Sequence, residues 1–354
     1  MQTSGEEIVK KFRPTKIILP IIIGLGITAF FIIRDFDEEA YAKISWGTST
    51  FFWVFMALVM MVVRDVAYMY RLRILTEKAI SWGRSFVVIM LWEFASAISP
   101  SVVGGSAFAF FIVNKEGIKM GKSIAVVMAT AFLDELFFIL IVPVILLFVG
   151  TNSLFIDVDP TGSLSASYGK SLLYFFWFGY LMVCVYILIV SYALFINPRA
   201  IKYLMVKLFS LPLLRRWKHY ALDTGNDLII ASGELKSKKF VFWWRAFAAT
   251  CYSWTARYLV VNCLLLAFTA LTLSDNLLIF ARQFVMWIIM LVSPTPGSAG
   301  VAEVVFPAFL GQFTPLGLAA SLALLWRLIS YYPYLIIGAI LIPRWVRRKL
   351  LSKK

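Results

Sequence analysis

Acidic and basic side chains stand deep inside long apolar runs of this sequence, where ion pairing, anion binding and proton transfer are the chemistries open to them. Asp134 and Glu135 lie about 12 residues into one run, roughly 18 Å along a helix axis, and Arg327 is about as deep in another. Asp134 follows Pro100 by 34 residues and Arg327 follows Pro294 by 33, so an acid and a base are expected to face each other at matching places. Glu303 follows a Pro- and Gly-rich break, Arg257 sits deep in a further run, and Glu93 and Arg282 lie in arms leading to two such breaks. Arg245 and Arg282 read as lone cations near a membrane face, snorkelling to the interface. In one reading Arg257 and Arg327 neutralise an anionic headgroup, while Glu303 and Asp134 or Glu135 hold the arginines in the empty site or carry a coupling proton. In the other, the same groups form a fixed salt-bridge network that locks helices together.

Other chemistries are poorly supplied. A single histidine, His219, and three cysteines, Cys184, Cys251 and Cys263, give neither a zinc set nor a Cys-x-x-Cys motif, so no metal and no cofactor is expected. Cys251 and Cys263 share one helical stretch about 18 Å apart and cannot bridge within it. No nucleophile and base stand at a recognisable spacing, so the chain is not expected to be an enzyme. The catalytic alternative is an intramembrane transferase or phosphatase using Asp134, Glu135 and Glu303 as acid, base or divalent-cation ligands.

The elements that position these groups follow from composition. Of 354 residues, 61% are hydrophobic and 15% charged, more apolar surface than one soluble core hides, so the chain reads as one all-α, polytopic membrane domain over residues 1–354. Six full spans are predicted: Ile17 to Ile33, Ile44 to Val63, Ser123 to Val149, Leu172 to Ile196, Phe240 to Leu273 and Leu316 to Ile342. The net charge of +15 falls in alternate loops and the tails, as the positive-inside rule requires. It is therefore read as topology and not as nucleic-acid binding. Arg64, Arg71, Arg73, Lys78 and Arg84 are assigned to a cytoplasmic loop, as is residues 197–239, whose stretch Ile201 to Tyr220 is basic and amphipathic and suits either an anionic inner leaflet or solvent. Both termini then face the cytoplasm at the cytoplasmic (inner) membrane.

Two further apolar segments are broken. Residues 85–113 are interrupted at Pro100 and at Gly104 and Gly105, and residues 276–313 at Pro294, Pro296, Gly297 and Gly300. Counting either as a single crossing puts basic clusters on the wrong side, so each is predicted to enter and leave by the same face. The arm Ser106 to Val113 supplies only about 12 Å of helix, which favours re-entrant hairpins. Span, span, hairpin, span then occurs twice, over residues 17–149 and 172–342, and three crossings per unit invert the second relative to the first. Proline and glycine free backbone polar groups that lipid cannot satisfy. Helices restarting after Gly105 and Gly300 are expected to aim amide hydrogens at an anion, unless neighbouring helices satisfy the kinks.

Pro100, Gly104-Gly105 and Lys115-x-Gly117, with Pro294-Thr295-Pro296-Gly297-x-x-Gly300-Val301-x-Glu303 and Arg327, resemble the lysylphosphatidylglycerol synthase transmembrane-region family, a flippase-like domain. The resemblance covers most of the chain and is more specific in its second half. The Asp and Arg that family members often carry after the glycine pair are Ser106 and Ala109 here, and the Arg of a Glu-Arg pair in the next span is absent. What the resemblance implies is movement of a polar-headed lipid between leaflets, without the aminoacyl-transferring soluble domain of the two-domain synthases.

The function expected is translocation or binding of an anionic phospholipid or lipid-linked glycan precursor. Its headgroup would be met by Arg257, Arg327, Gly104, Gly105, Gly297 and Gly300. The alternative is a non-transporting accessory subunit that docks a cytoplasmic glycosyltransferase or lipid-modifying enzyme through residues 197–239.

Overall fold

The computed structural model describes residues 46–351 except 100–101, 156–165, 212–217, 292 and 294, together with some of residues 22–42; at 102–104, 107, 152, 166–172, 350 and 351 it describes the backbone alone. Most of the span predicted at Ile17 to Ile33, and both Pro100 and Pro294, lie outside the described residues. The described part is all-helical. In chain order the helices are α1 (Thr48–Leu75), α2 (Trp82–Ile98), α3 (Val102–Lys115), α4 (Met120–Val149), the short α5 (Thr151–Phe155), α6 (Ala166–Ser191), α7 (Pro198–Leu208) and α8 (Lys218–Lys236). They continue with α9 (Phe240–Leu266), α10 (Leu273–Leu291), α11 (Val301–Leu310), α12 (Ala319–Ser330) and α13 (Tyr332–Val346).

Five helical stretches among the described residues are long and apolar enough to cross a membrane: Thr48–Leu75, Met120–Val149, Leu173–Ile196, Leu273–Leu291 and Ala319–Lys349. Four correspond to predicted spans. The fifth is α10, which the sequence reading treats as one arm of a hairpin although its 19 residues suffice to cross. Helix α9 is longer still, at 27 residues, but Arg245 and Arg257 reduce its apolar character. Exposed Phe, Leu, Ile and Trp side chains cover the outer faces of α1, α4 and α6, the surface expected where lipid replaces water.

Helix α1 corrects one boundary. Its predicted end at Val63 gives way to Leu75, because an apolar stripe continues through Ala57, Met61, Arg64, Tyr68, Leu72 and Leu75 at helical spacing. Arg64 and Arg71 therefore belong to a buried helix face and not to a basic loop. Helix α3 corrects another. It starts at Val102, so Gly104 and Gly105 sit in its first turns and do not precede it.

Helix α9 lies along α1, and α2 packs against α3 and α13. One apolar core joins α1, α2, α4 and α13. A second gathers the distal half of α4 with α9, α10, α11 and α12 around Phe138, Phe284 and Phe306. Residues 197–239 hold an ordered helix pair. Asn197 caps α7 by accepting from the Ala200 amide, and Pro198 opens it. Helix α8 packs on α7 and crosses α4 so closely at Gly121 that a Cβ there would lie 2.3 Å from the Leu228 amide nitrogen.

Candidate functional site

The end of α2, the break between α10 and α11, the middle of α9 and the α12–α13 junction enclose a cavity of about 220 Å³. Ser96 and Ser99 from the first break and Thr295, Gly297 and Ser298 from the second contribute to the same wall, so the interruptions of both apolar segments meet at one place. Tyr331 lies between them: its hydroxyl donates to the Ala97 carbonyl at 3.1 Å, and its ring stands against Gly297.

Arg327 enters from α12, buried, with its guanidinium 3.7 Å from the Tyr331 ring centroid. Its Nη2 donates to the Gly297 carbonyl at 3.0 Å, and its Nε lies 3.2 Å from Glu303 Oε1, an ion pair by proximity in which the N–H is not aimed at the oxygen. The other Glu303 oxygen, Oε2, accepts from the Gly300 amide at 2.7 Å. The protein's own carboxylate thus occupies the amino end of α11, where a positive helix end favours an anion. Pro296 opens the short turn Pro296–Ser298, and Gly297 and Gly300 adopt φ of +57° and +89°, backbone that glycine reaches without a Cβ clash.

Arg257 lines the same cavity from α9, half-buried. Its guanidinium lies over the Trp254 ring at 5.3 Å from the centroid, and no ion pair or hydrogen bond holds it among the described residues. Opposite in sign, Glu93 also reaches the cavity from α2 but is committed: Arg64 Nη2 bonds its Oε1. Arg64 Nη1 further donates to Asp65 at 2.7 Å and to the Tyr334 hydroxyl at 2.9 Å, and that hydroxyl donates to Asp65 at 2.8 Å. One arginine therefore carries two carboxylates and a tyrosine beside the cavity.

Asp134 does not face Arg327. It is held by Arg71 through the two terminal guanidinium nitrogens, at 2.5 and 3.1 Å, and accepts from the Trp254 indole at 2.6 Å, while Arg71 also donates to Thr250. This knot joins α1, α4 and α9. Glu135, next in sequence, has no basic partner among the described residues, and its Oε2 is buried without a hydrogen bond. Arg282 is fully buried and not snorkelling: it donates to the carbonyls of Phe309 and Ser153 and braces α10 against α11 and α5. At Gly105 a Cβ would fall 2.0 Å from Ser96 Oγ, so this glycine lets α3 approach α2 at the cavity wall. Gly104 is described by its backbone alone.

Arg64, Arg71, Tyr331 and Tyr334 were missed as interior groups. For the arginines the signal was present, since they stand seven residues apart, two helical turns, in register with Met61, Tyr68 and Leu75. No three of His, Cys, Asp and Glu are gathered for a metal ion among the described residues.

The break residues, Glu303 and Arg327 that build this wall lie within the segment, residues 17–338, that matches the family model described as the lysylphosphatidylglycerol synthase TM region. The chain belongs to this family. It is also similar to a UPF0104 membrane protein of Archaeoglobus fulgidus, 25% identical over 341 residues that cover 90% of this chain and 94% of that protein. Membership of the lysylphosphatidylglycerol synthase TM-region family and the apolar helices agree on a membrane-integral protein, consistent with a lipid-related role.

Proposed function

We propose that this protein binds a membrane lipid with an anionic headgroup, an anionic phospholipid or a lipid-linked glycan precursor, and carries it between the leaflets of the cytoplasmic membrane. One observation carries the reading: Arg257 projects into a cavity at the meeting of two helix breaks with no acidic partner among the described residues. A half-exposed guanidinium that no carboxylate holds is available to an anion, and its planar donor fork suits phosphate. Arg327 contributes a second positive field from the same wall, balanced by Glu303 when the cavity is empty. Gly297 brings backbone to the cavity itself, Gly300 donates its amide to Glu303 behind it, and Gly104 and Gly105 lie in α3, where Gly105 packs on Ser96 of the cavity wall. Asp134 secures α1 to α4 and α9 through Arg71.

In this reading α2–α3 and α10–α11 are re-entrant hairpins entering from opposite faces. They belong to two inverted units, residues 17–149 and 172–342, with six full spans and both termini in the cytoplasm. Such an arrangement brings discontinuous helices to the midplane, where irregular backbone is tolerated around a cavity.

Native mass spectrometry of the gently purified protein, beside Arg257→Ala and Arg327→Ala, tests the reading. One phosphate-bearing lipid retained in fixed ratio by the wild type and lost from Arg257→Ala is the expected result. Absence of any defined lipid from the wild type overturns it. A second reading, an accessory subunit for a glycosyl- or lipid-modifying enzyme, is favoured by the ordered α7–α8 pair, whose Lys207 and Tyr203 are exposed. A partner captured by the full chain and lost when residues 197–239 are replaced by a short linker would support it.

A further inference from the structure

Charges at the cavity do not pair one to one. Arg327 and Glu303 balance each other, and Arg282, buried against the Phe309 and Ser153 carbonyls, does not line the cavity. Arg64 instead holds two carboxylates, Asp65 and Glu93, against one positive charge. Asp65 and Tyr334 already engage its Nη1, so Glu93 is the surplus anion of that group, and it is Glu93 that lines the cavity. Its Oε1 is taken by Arg64 Nη2; its Oε2 accepts no hydrogen bond among the described residues. Arg257, the cation without an acid among those residues, lines the same cavity from α9. A free cation and a half-free carboxylate thus share one small space without pairing.

Much of the remaining polar wall can only accept. Ser99, Ser298 and Ser330 donate to the Ala95, Met290 and Trp326 carbonyls, and Tyr331 donates to Ala97, so these hydroxyls have lone pairs left to offer the cavity. Gln283 likewise spends its amide nitrogen on Asn262 and Ile279. We propose that Glu93 makes the cavity selective for phosphate-bearing lipids whose headgroup carries a hydrogen-bond donor, a hydroxyl or an ammonium, beyond the phosphate. The phosphate sits on Arg257 and the donor on Glu93 Oε2. The proposal rests on the reading of the cavity as a headgroup site and adds what that site reads. A phosphodiester without such a donor drives water from a carboxylate oxygen and returns nothing; a donor restores the lost hydrogen bond. At about 220 Å³ the cavity lies below the ~300–1,000 Å³ usual for drug-sized ligands, so the donor belongs to a small headgroup and not to an oligosaccharide.

The test uses the purified full chain in nanodiscs of phosphatidylcholine, whose choline has no N–H or O–H. Phosphatidylglycerol, phosphatidylethanolamine and phosphatidylmethanol are added in turn, and native mass spectrometry reads the lipid retained. Phosphatidylmethanol decides, because it matches phosphatidylglycerol in charge and has no donor beyond the phosphate. Wild type is expected to retain phosphatidylglycerol about ten- to hundredfold over phosphatidylmethanol, the range of one hydrogen bond to a charged group. Retention of phosphatidylethanolamine over phosphatidylmethanol supports the same role with an ammonium as the donor, and the ratio of the two donor lipids tells hydroxyl from ammonium. In Glu93→Met, Arg64 keeps Asp65 and Tyr334, so the variant is expected to fold and to retain all three lipids alike. Equal retention by the wild type, or a preference that survives in Glu93→Met, overturns the selective role; if Arg257→Ala still loses the lipid, the headgroup site stands. Absence of any added lipid from the wild type overturns both. The wild-type comparison needs no variant, so a Glu93→Met that fails to fold leaves the test decisive.

Discussion

The Arg71 guanidinium and the Asp134 carboxylate, 63 residues apart in the chain, meet through two nitrogen–oxygen contacts in the protein interior. Asp134 also accepts from the Trp254 indole and Arg71 donates to Thr250, so the pair joins three helices by hydrogen bonds that satisfy most of its polar atoms. Buried pairs of this kind add little beyond an apolar replacement but are severe to break, because the surviving charge is stranded.

Asp134→Ala is accordingly expected to destabilise the protein by about 3 to 5 kcal/mol. Removing both charges, in Arg71→Met with Asp134→Ala, should return much of that loss. Apparent Tm of the single and double variants in one detergent checks this. A double variant no more stable than the single would mean that the pair is not coupled.

At Gly297 the expected change is local. Alanine there meets two obstacles: a φ of +57° that costs an L-residue about 1 to 2 kcal/mol, and the Tyr331 ring, whose nearest carbon would stand 2.3 Å from the new Cβ. Tyr331 must then move, and with it its hydroxyl bond to Ala97. Gly297→Ala should lose the co-purifying lipid while keeping its helical circular dichroism, with Gly233→Ala, where a Cβ meets nothing within 4 Å, as the unaffected control.

On the loop side, Glu77 gives the chain an acid-sensitive contact. Its carboxylate is held by Lys122 at 3.0 Å and Lys238 at 2.6 Å, linking the α1–α2 turn to α4 and to the α8–α9 junction. Those hydrogen bonds lower its pKa below the ordinary 4.5. A carboxylate with a depressed folded-state pKa stabilises the fold above its unfolded value, and that contribution is lost as pH falls through the folded value. Hydrogen exchange of the α1–α2 turn should therefore accelerate as pH is lowered below 4.5, after correction for the intrinsic exchange rate. Glu77→Gln should show the faster corrected exchange already at neutral pH and no further acid step.

The sequence-readable part of this protein is the part that lipid and backbone chemistry write directly. Long apolar runs, the two Pro- and Gly-marked breaks and the place of Arg257, Arg327 and Glu303 within or beside them follow from hydropathy and spacing; in the structure Arg257 and Arg327 line one cavity and Glu303 pairs with Arg327. Pairing was not legible in the same way. Asp134 and Arg327 stand at matching distances from their prolines, yet which acid meets which base depends on helix rotation and on third elements, here Arg71 of α1 and the amino end of α11. Arg64 and Arg71 were hidden by a different cause: cations at the end of an apolar run look like a topology signal, and only their seven-residue spacing reveals a buried face.

Arg257 and Arg327 are both cavity-lining arginines, but their surroundings predict opposite costs on removal. Arg327 is committed, to Glu303, to the Gly297 carbonyl and to the Tyr331 ring, so Arg327→Ala strands a buried carboxylate and should lower stability by about 3 to 5 kcal/mol. Among the described residues Arg257 holds a cation–π contact with Trp254 and no ion pair, a contact worth about 1 kcal/mol or less at a half-exposed site, so Arg257→Ala should leave the apparent Tm nearly unchanged. Lipid retention separates the two further. Loss of lipid from Arg257→Ala at unchanged Tm identifies a binding group. If Arg257→Ala also unfolds, its guanidinium is structural, and the described residues of the cavity offer no free cation with which to receive a phosphate.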